Sequence, residues 1–90
     1  MAWTVEISAF VQKQLGKLDK PVAARILDWL DDRIAGCKNP QHFGDSLTGD
    51  LSGLWRYRVG DFRVICEIRD GQLTVLALSI GHRREIYRRR

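Results

Sequence analysis

Residues 3–7 alternate between apolar and polar side chains. Trp3, Val5 and Ile7 are apolar, and Thr4 and Glu6 lie between them. A period of two is typical of a β-strand with one buried face. The pattern therefore predicts a short strand at the start of the chain.

Two amphipathic helices are predicted next. The first covers residues 9–18, with Ser8 placed to cap its N-terminus. Its apolar stripe consists of Val11, Leu15 and Leu18. Pro21 suits the first turn of a second helix, and Gly36 is expected to end it. One face of the second helix carries Val22, Ile26, Leu30 and Ile34.

The second half of the chain predicts a long connection and then a β-meander. Residues 36–53 are rich in glycine, proline, asparagine, aspartate and serine, as connections are. The strands that follow are predicted at 54–59, 62–69 and 73–80. Gly60-Asp61 and Asp70-Gly71 separate them and are typical of two-residue hairpins, type II′ and type I′ respectively. We therefore expect a single α+β domain over residues 1–90. A strand, a two-helix hairpin and a three-stranded antiparallel meander follow one another in it, and the helices pack on one face of the sheet.

A tight turn at Gly60-Asp61 fixes which side chains of the first two meander strands meet. It places Val59 opposite Phe62 and Arg58 opposite Arg63. One face, which we assign to the core, then carries Trp55, Tyr57, Val59, Phe62, Val64, Cys66 and Ile68. The other face carries Arg56, Arg58 and Arg63.

Two like charges directly opposite each other on a sheet are unfavourable, by up to about 1 kcal/mol. An anion bound between Arg58 and Arg63, such as an RNA phosphate, would replace this repulsion with charge-assisted hydrogen bonds. The alternative is that acids elsewhere in the fold, such as Glu67 on the same face, neutralise the arginines.

The end of the meander is predicted to lie beside these arginines. The same register puts Leu76, Leu78 and Ile80 on the arginine face, as an apolar strip that the C-terminal tail or another chain must cover. Gly81 is expected to release the chain, so that the following residues return towards Arg63. These residues include His82, Arg83, Arg84 and Tyr87.

Charge and composition narrow the functional classes. The net charge is +4, and residues 1–45 are neutral overall. Every lysine-or-arginine position of residues 46–90 is an arginine. This bias indicates a polyanionic partner or, alternatively, pairing with surface acids.

No apolar run approaches the roughly 20 residues of a membrane helix, and no signal peptide is evident, so we expect a cytoplasmic protein. Cys37 and Cys66 lack metal-site spacing and are expected to be reduced thiols. We expect neither a metal nor a cofactor.

These residue types fit cleavage of RNA by its own 2′-hydroxyl group. That reaction needs a base, charge stabilisation at phosphorus and an acid for the leaving oxygen, and it requires no metal. Arginines stabilise the developing charge but hardly titrate. The base is therefore expected to be Tyr87 or His82.

Two segments of this sequence resemble the RelE toxins of the RelE/ParE superfamily, which belong to type II toxin-antitoxin systems. They are the run Leu51-Ser52-Gly53-Leu54-Trp55-Arg56-Tyr57-Arg58-Val59-Gly60-Asp61-Phe62-Arg63-Val64-Ile65 and the ending Ile80-Gly81-His82-Arg83-Arg84-Glu85-Ile86-Tyr87. The resemblance implies a ribosome-dependent endoribonuclease, an mRNA interferase that cleaves mRNA in the A site of the small ribosomal subunit and so inhibits translation. It also implies a RelB-like antitoxin, and contact with operator DNA only through the toxin-antitoxin complex.

The resemblance also assigns roles to residues of this chain. Arg63 and Arg83 match the family's transition-state and leaving-group arginines, and Tyr87 matches its active-site tyrosine. Arg56 and Arg58 stand where the best-known members carry lysines, one of which is thought to be the base. The expected phosphate-binding residues are Arg56, Arg58, Arg63, Arg83 and Arg84. Two other functions remain open: inhibition of DNA gyrase without hydrolysis, as in the ParE branch, and a catalytically degenerate module that binds antitoxin and operator.

Overall fold

A computed structural model describes residues 2–82. In chain order its helices and strands are β1 (Thr4–Ile7), α1 (Ala9–Lys17), α2 (Lys20–Arg33), β2 (Asp45–Ser46), β3 (Trp55–Val59), β4 (Phe62–Arg69) and β5 (Thr74–His82). Short 3-10 turns lie at Pro40–Phe43, Gly49–Leu51 and Asp70–Gln72. The two helices and the meander confirm the predicted α+β fold.

The strands form one five-stranded mixed sheet in the order β1-β5-β4-β3-β2. β1 runs parallel to β5, and the other neighbours are antiparallel. The edge strand β2 lies within the segment 36–53 that the sequence predicted only as a connection. Two residues are too few to show a period of two, so the pattern could not reveal this strand.

Both helices pack on one face of the sheet around a single apolar core. The core contains Trp3, Val11, Ile26, Leu30, Ile34, Tyr57, Val59, Val64, Cys66, Val75, Ala77 and Ile80. As predicted, Ser8 caps α1, and its Oγ accepts a hydrogen bond from the Val11 backbone N–H at 3.1 Å. Pro21 lies in the first turn of α2. Apolar periodicity therefore located both helices and the faces that they bury.

The Gln14 side chain joins α1 to β5 beyond the end of β1. Its Nε2 donates to the Ile80 carbonyl at 2.6 Å, and its Oε1 accepts from the Ile80 N–H at 2.7 Å. β1 pairs with β5 only as far as Ala77. One side-chain amide thus takes the place of a strand neighbour along the next part of this edge.

The register of the first hairpin is the one predicted from its two-residue turn. Val59 lies opposite Phe62 and Arg58 opposite Arg63. Gly60 adopts a φ of +61°, a conformation that glycine tolerates and that the first central position of a type II′ turn requires.

The second hairpin departs from the prediction. Arg69 lies opposite Thr74, so four residues connect the strands instead of the two of an Asp70-Gly71 turn. They form a 3-10 turn followed by Leu73, whose φ of +50° supplies the left-handed residue.

A β-bulge corrects the predicted face of Ile80. Ile65 pairs with Ser79 but Cys66 pairs with Ala77, so β5 contains one extra residue at this point. The extra residue reverses the alternation of β5, because side chains have a period of two. Leu76 still lies opposite Glu67 on the arginine face, whereas Ile80 lies opposite Val64 in the core.

Candidate functional site

Three arginines share the sheet face that points away from the helices, as predicted: Arg56, Arg58 and Arg63. The structure adds a carboxylate to them. Asp45 of β2 pairs with Arg56 of β3, and its Oδ2 lies 3.2 Å from Arg56 Nη2 and 3.3 Å from Arg58 Nε. One carboxylate oxygen is therefore held between two guanidinium groups.

Close packing beneath β2 fixes the position of Asp45. A Cβ atom on Gly44 would lie 2.8 Å from Tyr57 Cε1 and 2.9 Å from the Arg56 carbonyl oxygen, so only glycine fits this approach. The buried Tyr57 hydroxyl donates to the Pro40 carbonyl at 2.7 Å and anchors the turn before β2. Burial raises the pKa of Tyr57, so this hydroxyl stays protonated and keeps donating.

Arg63 has a different environment from the other two arginines. It is only 8% exposed, and its Nη1 donates to the carbonyls of Gly60 and Phe62 at 3.0 and 2.9 Å. Among residues 2–82, its buried Nε has no hydrogen-bond partner and its guanidinium forms no salt bridge. A buried charge of this kind is costly unless something pairs with it.

Glu67, the acid that the sequence suggested as a neutraliser of the arginines, has another partner. It forms a salt bridge with Arg69 of the same strand, with its Oε1 at 3.0 Å from Nη2 and 3.1 Å from Nε. Asp45 takes the neutralising position instead, and only for Arg56 and Arg58. The prediction that acids relieve the cluster is thus correct for two of the three arginines but names the wrong acid.

His82 does not lie beside the arginines, contrary to the sequence-based expectation. Gly81 and His82 continue β5, so the chain does not turn back at Gly81. His82 pairs with Phe62, and the two rings meet edge to face with centroids 5.5 Å apart. Phe62 packs against the core, so the imidazole lies on the helix side of the sheet.

A shallow pocket of about 290 Å³ adjoins this histidine. Its lining residues are Gln14, Lys17, Leu18, Phe62, Ile80, Gly81 and His82. Three of them belong to α1 or follow it directly, which again places His82 on the face opposite Arg63. The remaining predicted site residues, Arg83, Arg84 and Tyr87, lie outside the described residues.

The two cysteines are free thiols on the core side of the molecule. Cys66 is fully buried, and burial raises its pKa to about 12. Burial also raises the pKa of Cys37. Within residues 2–82, no cluster of histidine, cysteine, aspartate or glutamate could hold a metal ion, and no helix is long and apolar enough to cross a bilayer.

The sheet face that carries the arginines has two kinds of charged group. Arg63 is a preorganised cation with hydrogen-bonding capacity left over, which suits a phosphate. Two strands away, Asp45 of β2 is a carboxylate whose second oxygen, Oδ1, has no hydrogen-bond partner among the described residues. The buried cation on β4 and the carboxylate on β2 thus lie on either side of β3.

Comparison with known proteins defines the class to which this fold and this site belong. The family model for the ParE toxin of the type II toxin-antitoxin system parDE matches residues 5–87. The chain therefore belongs to the RelE/ParE family of type II toxins, as the resemblance in the sequence indicated.

Individual relatives lie on the RelE side of this family. The chain is 29% identical over 89 residues to toxin RelG of Mycobacterium tuberculosis, covering 99% of this chain and 100% of RelG. It is 33% identical over 84 residues to toxin RelE of the same organism, covering 93% of this chain and 84% of that toxin.

Two solved structures show the same fold. The toxin-antitoxin complex RelBE2 of Mycobacterium tuberculosis contains a chain that matches with a TM-score of 0.81 at 25% identity, covering 91% of this chain and 99% of that one. The archaeal RelE-RelB complex of Pyrococcus horikoshii contains one that matches with a TM-score of 0.67 at 30% identity, covering 92% and 97%.

Proposed function

We propose that this toxin is a metal-independent endoribonuclease that cleaves mRNA in the A site of the ribosome. The observation that carries the proposal is Arg63, a buried guanidinium with an unpartnered Nε and no salt bridge within residues 2–82. A fold that needed only stability would gain nothing from this charge. An RNA phosphate would give the guanidinium both a counter-charge and a hydrogen-bond acceptor.

In the proposed reaction the 2′-oxygen of one nucleotide attacks the adjacent phosphorus atom, and the bond to the 5′-oxygen of the next nucleotide breaks. The products are a 2′,3′-cyclic phosphate and a 5′-hydroxyl. Negative charge grows on the non-bridging oxygens in the transition state, and Arg63 stabilises it from a fixed position. Arg83 is proposed to assist the leaving group, Arg84 to bind phosphate and Tyr87 to act within the site, all by resemblance to the family.

The partners follow from the same family membership. We propose a RelB-like antitoxin as the cognate partner, since two of the matched structures are toxin-antitoxin complexes of the RelB–RelE kind. Contact with operator DNA is proposed only for the complex of the two proteins, and the site of action is proposed to be the cytoplasm.

The test is induced expression of the toxin without an antitoxin, followed by mapping of RNA 5′ ends, and incubation of the purified toxin with programmed ribosomes. We expect growth arrest and new 5′ ends within translated codons at the A-site position. Intact mRNA on programmed ribosomes would overturn the proposal.

The second candidate function is inhibition of DNA gyrase, which the ParE name of the matching family model favours. Such a toxin binds a protein and needs no phosphate site. A supercoiling assay with purified gyrase separates the two functions, because an endoribonuclease leaves supercoiling unchanged. Normal growth on induction, with both assays negative, would instead indicate a catalytically degenerate module.

A further inference from the structure

We infer that Arg25 of α2 binds a second phosphate of the mRNA, next to the phosphate that Arg63 is proposed to hold. The inference rests on the proposed function. It extends the RNA-binding surface from the arginine-rich half of the chain to residues 1–45, which are neutral overall. Arg25 is assigned a role in binding the mRNA and none in the reaction at phosphorus.

Arg25 lies at the rim of the helix face that α2 buries. It follows Val22 by one helical turn and precedes Trp29 by another, so the three side chains lie on one side of the helix. Val22 and Trp29 pack against the core, whereas Arg25 is exposed. An arginine at such a rim lays its aliphatic stem along apolar surface and keeps its charged end in water.

The charged end of Arg25 lies against the turn that joins β3 to β4. A Cβ atom on Gly60 would lie 3.0 Å from Arg25 Cζ, 3.0 Å from Nη1 and 3.1 Å from Nη2. A side chain at this position would therefore press on the guanidinium group. The glycine of the turn thus gives the chain its positive φ and also leaves room for Arg25.

Arg63 contacts the same turn residue. Its Nη1 donates a hydrogen bond to the Gly60 carbonyl at 3.0 Å. These two contacts and the size of one residue keep Arg25 Cζ within about 10 Å of Arg63 Nη1. A buried and an exposed guanidinium group therefore lie close together at the end of the hairpin.

Acids of residues 2–82 do not neutralise this pair of charges. Neither Arg25 nor Arg63 forms a salt bridge there, and Asp61, which follows Gly60 in the turn, forms none either. Two like charges at about the Debye length of physiological salt still repel each other. A strand of RNA carries one phosphate per nucleotide, so consecutive phosphates can supply each guanidinium group with its own counter-charge.

The test compares Arg25→Gln with Arg33→Gln, a matched loss of an exposed arginine about two turns further along the same helix. Binding is measured on ribosomes whose A-site codon carries 2′-deoxyribose, so that the mRNA stays intact. We expect Arg25→Gln to weaken binding by about 3- to 10-fold, and Arg33→Gln to bind within about twofold of wild type. Arg25→Lys, which keeps the charge, should recover most of the lost affinity.

Two further measurements distinguish a phosphate contact from a structural role. The slope of log affinity against log salt concentration should decrease by about 0.7 in Arg25→Gln, the value for one phosphate of a single strand. A neutral methylphosphonate linkage on the 5′ or the 3′ side of the scissile phosphate should, at one of these positions, abolish the difference between wild type and Arg25→Gln.

The cleavage rate on a normal codon separates binding from chemistry. At saturating toxin, the single-turnover rate of Arg25→Gln should stay within about threefold of wild type, because a residue that binds substrate and transition state equally changes affinity alone. A large loss of this rate with unchanged affinity would contradict the inference.

The remaining outcomes are distinct for the two proposals. If wild type cleaves and the two glutamine variants have equal affinities and salt slopes, the inference fails alone. It also fails alone if the difference persists with both methylphosphonate linkages, since the contact is then with ribosomal RNA. If wild type leaves mRNA intact on programmed ribosomes, the proposed function fails and the inference fails with it.

Discussion

The two faces of the β-sheet follow opposite rules. On the helix side the side chains are apolar and close-packed, and the buried Tyr57 hydroxyl has its hydrogen-bond partner. On the other side, three arginines and an aspartate converge, and the most buried of them, Arg63, forms no salt bridge within residues 2–82. Stability is concentrated on the first face and the proposed reaction on the second, because an unpaired buried charge weakens a fold but prepares it for an anion.

The titratable groups His82 and Asp45 lie on different faces of the sheet. His82 would be a plausible proton acceptor from its chemistry alone, but its ring packs on Phe62 on the helix side. Asp45 lies on the arginine side between two guanidiniums. Position in the sheet, and not residue type alone, therefore decides which titratable groups lie near the arginines.

The largest expected effect is on the cleavage rate, and it is seen by replacing one residue on each sheet face in turn. Arg63→Ala should lower the rate of mRNA cleavage on ribosomes by about 100- to 1,000-fold, as loss of one preorganised charge-stabilising group does. His82→Ala should leave the rate within a few-fold of wild type. Single-turnover cleavage assays measure both, and a large loss in His82→Ala would break the assignment of function to one face.

Arg63→Ala should change the stability of the fold far less than it changes the cleavage rate. Arg63→Ala loses two hydrogen bonds to backbone carbonyls but also removes a buried charge, so its free energy of unfolding should stay within about 1 kcal/mol of wild type. Urea unfolding followed by circular dichroism measures this. A collapse of stability would mean that the lost activity reports on folding.

A smaller effect is expected at the junction of α1 and β5. Gln14→Ala removes both hydrogen bonds to the backbone of the buried Ile80 and should cost about 1–3 kcal/mol of unfolding free energy. Gln12→Ala, at an exposed position of the same helix, is the matched control and should change stability by less than about 0.5 kcal/mol. Equal urea midpoints for the two variants would contradict the structural role of Gln14.

A pH dependence of stability is expected on the helix side of the sheet. Burial raises the pKa of Cys66 to about 12, so the folded protein keeps this proton at pH values where the unfolded chain has released it. The contribution of this thiol to stability is constant below about pH 9 and should then fall by up to about 1.4 kcal/mol per pH unit between about pH 9 and 12. The buried Tyr57, whose pKa is also raised, adds to the decline above about pH 10.

Cys66→Ala tests this directly. The variant is less stable at neutral pH because it leaves a cavity, but its urea midpoint should decline less steeply above pH 9 than that of wild type. Cys37→Ala, at a half-buried position, should change the slope less. An unchanged slope in Cys66→Ala would show that the alkaline loss has another origin.

Local patterns predicted much of the fold. The spacing of apolar residues located α1 and α2, Ser8 was correctly identified as a cap, and the Gly60-Asp61 turn gave the pairing of Arg58 with Arg63. These features depend on neighbours a few residues apart, so the information lies within a short stretch of sequence.

The carboxylate of the candidate site could not be predicted in this way. Asp45 lies eleven residues from Arg56 in a segment without periodicity, and only pairing of β2 with β3 brings them together. The bulge in β5 opposite Ile65 and Cys66 could likewise not be predicted from the alternation of residues. It places Ile80 in the core and not on the predicted face.

The sequence by itself determined the class of fold, the family and the shared face of the three arginines, because each follows from local periodicity, turn chemistry or a contiguous motif. Tertiary structure alone decided that Asp45 joins Arg56 and Arg58, that Arg63 is buried without a salt bridge within residues 2–82, and that His82 lies on the other side. The physical reason is that charge pairing and burial depend on which distant segments become neighbours, and no local pattern encodes that.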